Sequence, residues 1–151
     1  MAQEVKVGIV DLQLAVSSTK AGKKAKGQLE KITKKKQAEL DKRVEEIKKM
    51  EAEMQKQLPL MSEKGKKDMM ARYRKKMMEL QQMYMDNQTN LAQKKQQLLK
   101  PILQKMSKIV QDIALSEGYT LILDKGEGSV IYFEPSTDLT SRVIKKYNET
   151  K

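Results

Sequence analysis

Few side chains in this 151-residue sequence could do chemistry. It contains no cysteine and no histidine, which excludes thiol nucleophiles, disulfides, imidazole acid-base catalysis and zinc sites built from these residues. The remaining carboxylate candidates are Glu45, Glu46, Glu51 and Glu53, which alternate with lysines in a helix-forming stretch. An exposed helix offers no enclosed pocket to shift their pKa values. We therefore expect no catalytic site, no metal site and no cofactor.

Two short motifs resemble catalytic or phosphate-binding motifs in sequence but lack the context that such sites need. Ser62 near Lys64 resembles a Ser-Lys pair, but a serine directly before a helix-forming run is more typical of an N-cap. The GEGS stretch at 126–129 lacks the strand, loop and helix context in which glycines cradle a phosphate. We interpret both motifs as structural.

Charge indicates what kind of partner to expect. Thirty-one Lys and Arg against twenty Asp and Glu give a net charge of +11, which favours an anionic partner. Residues 20–58 and 62–100 hold this whole excess. The candidate electrostatic residues are Lys34, Lys35, Lys36, Arg72, Arg74, Lys75 and Lys76.

Nucleic acid is one anionic partner to weigh. The basic runs would contact phosphates, and Tyr73 between two arginines could stack on a base. However, acidic residues interleave and no base-reading motif is present, so specific nucleic-acid recognition is not expected. A solvated helix face is the common explanation of such runs.

Both ends of the sequence predict a small α+β body. The stretches 5–10, 119–124 and 129–133 alternate β-branched and polar residues and are predicted as strands, the last two joined as a hairpin by KGEG. A short helix is predicted near 12–17. A final helix is predicted after Pro135, with Asp138 as its cap. Its apolar stripe is Leu139, Val143 and Tyr147.

The middle of the sequence predicts two long helices. Residues 20–117 are nearly all helix formers, interrupted strongly only by LPLMSEKG at 58–65 and by Pro101. Ser18 or Thr19 is predicted to cap the first helix, Pro59 to stop it near Leu58, and Ser62 to cap the second. An antiparallel hairpin centred on residue 60 would place Leu29 opposite Leu91, Leu40 opposite Leu80, and Ile47 opposite Tyr73.

The same register predicts a weak level in the middle of the hairpin. Between the Leu29 and Leu40 levels the apolar spacing is 11 residues, and the seam there offers Lys36 and Gln37 against Tyr84 and Asn87. Such a spacing departs from the heptad and relaxes supercoiling. We predict a weakly packed, bendable middle.

Nine of the eleven methionines fall between residues 50 and 85. By the predicted register, Met54, Met70 and Met77 belong to the seam, while Met50, Met69, Met78, Met83 and Met85 are flanking or outward. Flexible, polarizable methionines suit promiscuous apolar contacts, although a helical-period stripe is usually packing. The candidate contact residues are Met50, Met54, Met61, Met69, Met70, Tyr73, Met78, Met83 and Met85.

Both ends of the chain resemble the OmpH-like family. The resemblance rests on VGIVDLQLAVSSTKAGKKAKGQLEK at 7–31 and YTLILDKGEGSVIYFEPSTDLTSRVIKKYNE at 119–149. It implies a homotrimer with a β-rich body (1–19 and 101–151) and protruding antiparallel coiled-coil arms (20–100, tip near 58–65). It further implies an ATP-independent periplasmic holdase that keeps unfolded outer-membrane proteins in a cavity between the arms. In the compartment that the resemblance implies, headgroups of anionic lipid or lipopolysaccharide are more plausible anionic partners than nucleic acid. The expected trimer contacts are Val7, Ile9, Leu121, Ile122, Val130, Ile131 and Tyr132.

Two further expectations complete the prediction. The sequence has no apolar run near 18 residues and no signal-peptide pattern at Met1, so neither a membrane span nor a leader is expected within it. The main alternative to a chaperone is a purely structural coiled coil. The methionines near the tip argue against a rigid strut, which would favour Leu and Ile at regular heptads.

Overall fold

The computed structural model describes residues 3–150. The chain forms two compact units, which we call the body (the described residues up to Gln28 and from Lys95) and the hairpin (Leu29–Lys94). Short 3-10 turns lie at Leu58–Leu60 and Pro135–Thr137. The helices and strands, in chain order, are β1 (Val7–Val10), α1 (Leu12–Ser18), α2 (Lys20–Gln57), α3 (Glu63–Glu117), β2 (Leu121–Asp124) and α4 (Thr140–Glu149).

The body is built on a two-stranded parallel sheet. Val7 of β1 pairs with Leu121 of β2, and the register continues to Val10 and Asp124. On the other side of β1, Ile9 forms an isolated bridge with Asp138, where the Leu139 N–H donates to the Ile9 carbonyl at 2.7 Å. Parallel pairing means that the chain leaves and re-enters the sheet at opposite ends, as a crossover connection requires.

The predicted strand at 129–133 is wrong. KGEG does form a turn, with Gly128 at a φ of +74° and its N–H donating to the Lys125 carbonyl. The chain beyond it is not a strand, and Ile131 and Tyr132 are 99% and 83% exposed. Alternating β-branched residues indicate only that the backbone prefers an extended conformation. A strand also needs a neighbouring strand whose backbone N–H and C=O groups form hydrogen bonds with it. Within this chain β2 takes β1 as its partner instead.

Helices cover the sheet and close the core of the body. Along the second half of α3, buried Ile102, Met106, Ile109 and Ile113 recur at helical spacing. The predicted stripe of the last helix is confirmed, because Leu139, Val143 and Tyr147 are all buried. The core they join also contains Val10, Ala15, Val16 and Ala25.

A tight turn connects α1 to α2. The Thr19 hydroxyl accepts a hydrogen bond from the Gly22 N–H at 2.9 Å, so Thr19 caps α2 as predicted. Glycine is required at position 22 because its surroundings leave no room for a Cβ atom, and not because its φ angle is positive. A Cβ atom added there would lie 1.8 Å from the Val16 carbonyl oxygen. The close approach of the two helices therefore depends on glycine.

The limits of the long helices follow from capping groups. α2 ends at Gln57, before Pro59, and the Ser62 hydroxyl accepts from the Gly65 N–H at 3.2 Å at the start of α3. Both features were predicted. Pro101, which was read as punctuation, lies inside α3. It removes one N–H donor from the helix, and both Pro101 and Gln97, whose carbonyl would accept from that donor, are exposed residues.

Asp138 organises the start of α4. Its carboxylate accepts from Lys125 Nζ at 2.8 Å and from the Thr140 N–H at 2.9 Å. Asp138 was predicted as the cap of this helix, but the N-cap residue of α4 is Leu139, which makes no side-chain capping hydrogen bond. Partial burial would raise the pKa of Asp138, but the hydrogen bonds from Lys125 and Thr140 outweigh it and hold that pKa below its ordinary value.

The glycine turn provides a first prediction. We expect Gly22→Ala to destabilise the body by about 1–3 kcal/mol, because backbone must shift to admit the methyl group. Gly27→Ala is the matched control in the same helix, since no atom lies within 4 Å of its added Cβ. It should stabilise by about 0.5–1 kcal/mol through helix propensity. Thermal unfolding followed by circular dichroism measures both. Equal effects of the two substitutions would contradict the steric account.

The Asp138 contacts predict a pH dependence. We expect Asp138→Asn to lower the free energy of unfolding at neutral pH by about 1 kcal/mol through loss of the ionic hydrogen bond. Because the folded-state pKa is depressed, this contribution is present above the unfolded pKa of about 4 and disappears as pH falls through the folded pKa. Urea titrations from pH 3 to 7 should show the two proteins converging in acid. Glu127→Gln, which removes an exposed carboxylate from the KGEG turn that contains Lys125, should show no such convergence.

Candidate functional site

The hairpin buries one narrow seam between its helices. On α3 the inward residues follow alternating steps of four and three, which is a heptad pattern. They are Met69, Tyr73, Lys76, Leu80, Met83 and Asn87, each buried or half-buried. On α2 the inward residues include Leu40, Ile47, Met50 and Met54.

Contacts across the seam show its register. Leu40 and Leu80, predicted to face each other, line the same groove. Tyr73 was predicted opposite Ile47, and its hydroxyl donates to the Glu51 carboxylate, one turn beyond Ile47 on α2. That hydrogen bond raises the pKa of Tyr73, because the neutral phenol is the donor. The pairing of the helices was thus predicted to within about one turn.

Two of the three seam methionines were misplaced. Met54 is buried as predicted, but Met70 and Met77 are 36% and 42% exposed, while Met69 and Met83 are half-buried. The heptad that contains Tyr73 and Leu80 passes through positions 69, 76 and 83, one residue before those assigned from the sequence. A one-residue shift rotates a side chain by about 100° around the helix axis, which moves Met70 and Met77 from the seam to its flank.

The displaced residues form an exposed apolar stripe along α3. Met70, Met77 and Tyr84 recur one heptad apart beside the seam, and Met78 and Met85 occupy the next position outward. We call these five residues the methionine stripe. They are between 36% and 70% exposed. Large apolar side chains that follow one face of a helix without cover are typical of an interaction surface.

Part of the methionine stripe borders a groove of about 530 Å³ in the hairpin. Its walls are apolar side chains of both helices, and its polar rim consists of Gln37, Asp41 and Gln81. The Gln37 amide donates to the Asp41 carboxylate at 2.8 Å. The wall residues are Leu40, Val44, Met77, Met78, Leu80 and Tyr84. Sequence reasoning did not identify the groove, although the heptad spacing of Met70, Met77 and Tyr84 was the available signal.

A polar layer interrupts the seam at the level that the sequence marked as weak. Lys36 Nζ donates to Asn87 Oδ1 at 2.9 Å, and Asn87 is 7% exposed. Within the described residues, the buried Nδ2 of Asn87 has no hydrogen-bond partner. Lys36 and Asn87 were predicted correctly at this level, whereas Gln37 and Tyr84, predicted beside them in the seam, are exposed and line the groove. The bending expected there stays a prediction.

The seven candidate electrostatic residues do not share one environment. Lys36 belongs to the polar layer, and Lys76 is half-buried in the seam. The hydrogen bond from Arg43 at 3.0 Å, helped by the charge of Lys76, holds the pKa of Glu46 below its ordinary value. The five that are exposed are Lys34, Lys35, Arg72, Arg74 and Lys75.

The candidate trimer residues of the body divide into buried and exposed sets. Ile9 is in the core, and Ile122 and Val130 are half-buried. Val7 and Leu121, which pair across the sheet, are 36% and 48% exposed. Together with Ile131 and Tyr132 they leave apolar surface uncovered on the body of a single chain.

The carboxylates considered for catalysis are engaged in simple surface contacts. Glu45 pairs with Lys48 at 3.2 Å, and Glu51 accepts from Tyr73. Over residues 3–150, no three His, Cys, Asp or Glu side chains gather in a way that could hold a metal ion. In the same range, no helix is both long enough and apolar enough to cross a membrane.

These features define an α+β protein with a small parallel sheet and a long helical hairpin. The family described as outer membrane protein (OmpH-like) matches residues 6–147, and the chain therefore belongs to the OmpH-like family. Among solved structures, it is similar to a candidate outer membrane chaperone (OmpH-like) from Caulobacter crescentus, with a TM-score of 0.80 at 18% identity. The match covers 98% of this chain and 86% of the other. No significant match is found among curated protein sequences.

The polar layer provides a prediction for the hairpin. We expect the double change Lys36→Leu with Asn87→Leu to raise the free energy of unfolding by about 1–3 kcal/mol, because apolar side chains replace a buried polar pair that is only partly satisfied. Asn87→Ala alone should lower it by about 1–3 kcal/mol, since it leaves the Lys36 donor without its acceptor. Urea titration measures both. A double variant less stable than the wild type would contradict this prediction and show that the polar pair is stabilising.

Proposed function

We propose that this protein is an ATP-independent holdase chaperone for unfolded outer-membrane proteins. Membership in the OmpH-like family and the fold shared with a candidate outer membrane chaperone support a chaperone role. The observation that carries the proposal is the methionine stripe, a run of exposed apolar side chains that the seam of the hairpin does not cover. We propose the periplasm as its location, as expected for this family.

The chemistry of the stripe suits a client without fixed shape. Methionine has three rotatable bonds and a polarizable thioether, so it adapts to irregular apolar partners. Each atom pair in contact contributes only about 0.1–0.2 kcal/mol, and many such contacts along a mobile chain sum to useful affinity. No step requires nucleotide, metal or covalent chemistry, and we propose no catalytic residues.

Charge on the hairpin favours encounter with acidic clients. Residues 29–94 carry seventeen basic and eleven acidic side chains, and the exposed Lys34, Lys35, Arg72, Arg74 and Lys75 extend this positive surface. Electrostatic attraction of this kind raises association rates and weakens with salt. The same residues make anionic lipid or lipopolysaccharide headgroups the second class of partner that we propose.

We propose that the working form is a homotrimer with its client in a cavity between three arms. The support lies in the apolar surface of the body, where Val7, Leu121, Ile131 and Tyr132 are exposed. The segment 129–133 has strand-forming composition but pairs with no strand among residues 3–150 of its own chain. In the proposed trimer it bonds to a sheet edge of another copy, which satisfies its backbone and protects that edge.

Replacing the exposed methionines tests the proposal. Wild-type protein should suppress aggregation of a diluted, unfolded β-barrel membrane protein without nucleotide. The quadruple change of Met70, Met77, Met78 and Met85 to Gln should weaken client binding roughly fivefold to tenfold, because polar amides replace apolar contacts. The same four positions changed to Leu should retain binding. Light scattering of the client and anisotropy of a labelled client measure the effect.

Assembly and folding must be checked in the same variants. Sedimentation should give three chains for the wild type and both variants, and circular dichroism should show equal helicity. If the Gln variant suppresses client aggregation as well as the wild type does, the client does not bind through the methionine stripe. A stable wild-type monomer would remove the cavity, and tight binding to duplex DNA at about 200 mM salt would favour the nucleic-acid alternative.

A further inference from the structure

We propose that the hairpin groove recognises a specific pattern in the client: two large apolar side chains at positions i and i+2 of an extended segment, with acidic residues around them. This inference rests on the proposed holdase function and deepens it by naming what one site on the hairpin binds. The groove lies within the hairpin, so the proposal needs no contact between units or between copies.

The dimensions of the groove suit two alternating side chains. Its volume of about 530 Å³ falls in the range of sites that enclose small ligands. Its lining runs from Gln37 to Val44 on α2 and from Met77 to Tyr84 on α3, which is roughly 10 Å along each helix at about 1.5 Å per residue. In an extended chain, side chains on the same face repeat every ~6.6 Å. Two such side chains fit this length, and a third would fall outside it.

The chemistry of the walls suits aromatic and long aliphatic side chains. Leu40, Val44 and Leu80 form a fixed apolar surface, while Met77 and Met78 can change rotamer to fit the guest. Tyr84, 54% exposed, offers its ring for aromatic or thioether contacts. The groove thus has a rigid side and an adaptable side. We therefore expect it to discriminate between clients more by the spacing of their two apolar side chains than by the identity of those side chains.

The rim favours a polypeptide over a lipid chain. Amide groups of Gln37 and Gln81 border the groove and can bond to the backbone of an extended segment. Gln37 already donates to Asp41, but a hydrocarbon tail would cover the Gln81 amide without offering a hydrogen-bond partner, which costs free energy. We therefore commit to an unfolded polypeptide as the occupant.

The positive charge of the hairpin around the groove favours acidic residues on either side of the client's apolar pair. Asp41 is the only charged lining residue, and it already accepts from Gln37. The hairpin around it carries an excess of basic side chains, including exposed Lys34, Lys35, Arg74 and Lys75. A client segment whose outward positions are acidic is attracted by this field, whereas a basic segment is repelled.

Peptide isomers test the spacing. Two fluorescein-labelled peptides of identical composition, rich in Ser and Glu, carry two Phe residues either at i and i+2 or at i and i+1, where they point to opposite faces of an extended chain. We expect the wild-type protein to bind the i, i+2 peptide at least about fivefold more tightly in anisotropy titrations at low salt, since only this isomer places both rings in the groove.

Paired variants locate the preference. Met77→Gln with Met78→Gln should abolish the difference between the isomers, because both residues line the groove. Met70→Gln with Met85→Gln is the matched control: it removes two exposed methionines from the same helix that do not line the groove, and it should keep the preference. Equal helicity of the two variants by circular dichroism excludes unfolding as the cause.

The outcomes separate this inference from the proposed function. The groove assignment is overturned if the wild type binds both isomers equally, or if the two paired variants lose the preference between isomers to the same extent. In either case, suppression of client aggregation would still support the holdase function. Displacement of the i, i+2 peptide by a fatty acid at equal concentration would identify a lipid as the better occupant and also overturn it. A wild-type protein that distinguishes the isomers but does not suppress aggregation would refute the holdase function alone.

Discussion

A two-helix hairpin can bury only one narrow stripe of each helix, and this constraint determines the surface of the protein. In α3 the stripe is occupied by residues such as Tyr73 and Leu80, so the apolar residues one position further around the helix have no cover within the hairpin. Burying them would require a third helix or another molecule. The exposed methionines are therefore a geometric result of placing more apolar side chains on α3 than one partner helix can enclose.

The two units are stabilised in different ways. The body has a continuous core that includes fully buried Met106 and Val143. The hairpin has a single seam interrupted by the Lys36–Asn87 layer, with a groove on its flank. A polar layer in a coiled-coil seam fixes register at a cost in stability. Register matters here because sliding one helix past the other would separate Leu40 and Val44 from Met77 and Tyr84 and remove the groove.

Features that depend on residues close together in the sequence could be predicted, and features that depend on contacts between distant residues could not. The caps at Thr19 and Ser62, the end of α2 before Pro59 and the stripe of α4 involve residues within a few positions of each other, and all were predicted. Two of the three predicted seam methionines, Met70 and Met77, were misassigned by one residue, because the register depends on the packing of both helices rather than on the pattern of one. The strand at 129–133 was wrong because pairing is a long-range property that β-branched composition does not encode. The groove was missed for the same reason, since its walls come from positions about forty residues apart.

The parallel sheet has a consequence for the order in which the chain folds. Val7 bonds to the strand that contains Leu121, so more than a hundred residues must be looped before the sheet can close. Closing a flexible loop of that length is slow, but most of the intervening residues belong to the long helices α2 and α3, and helices form from local contacts in microseconds. Once these helices pair, they shorten the loop and leave only the sheet to be joined. We therefore infer that pairing of α2 with α3 precedes closure of the sheet, and that adding or removing whole heptads in both helices leaves the loop that remains to be closed unchanged.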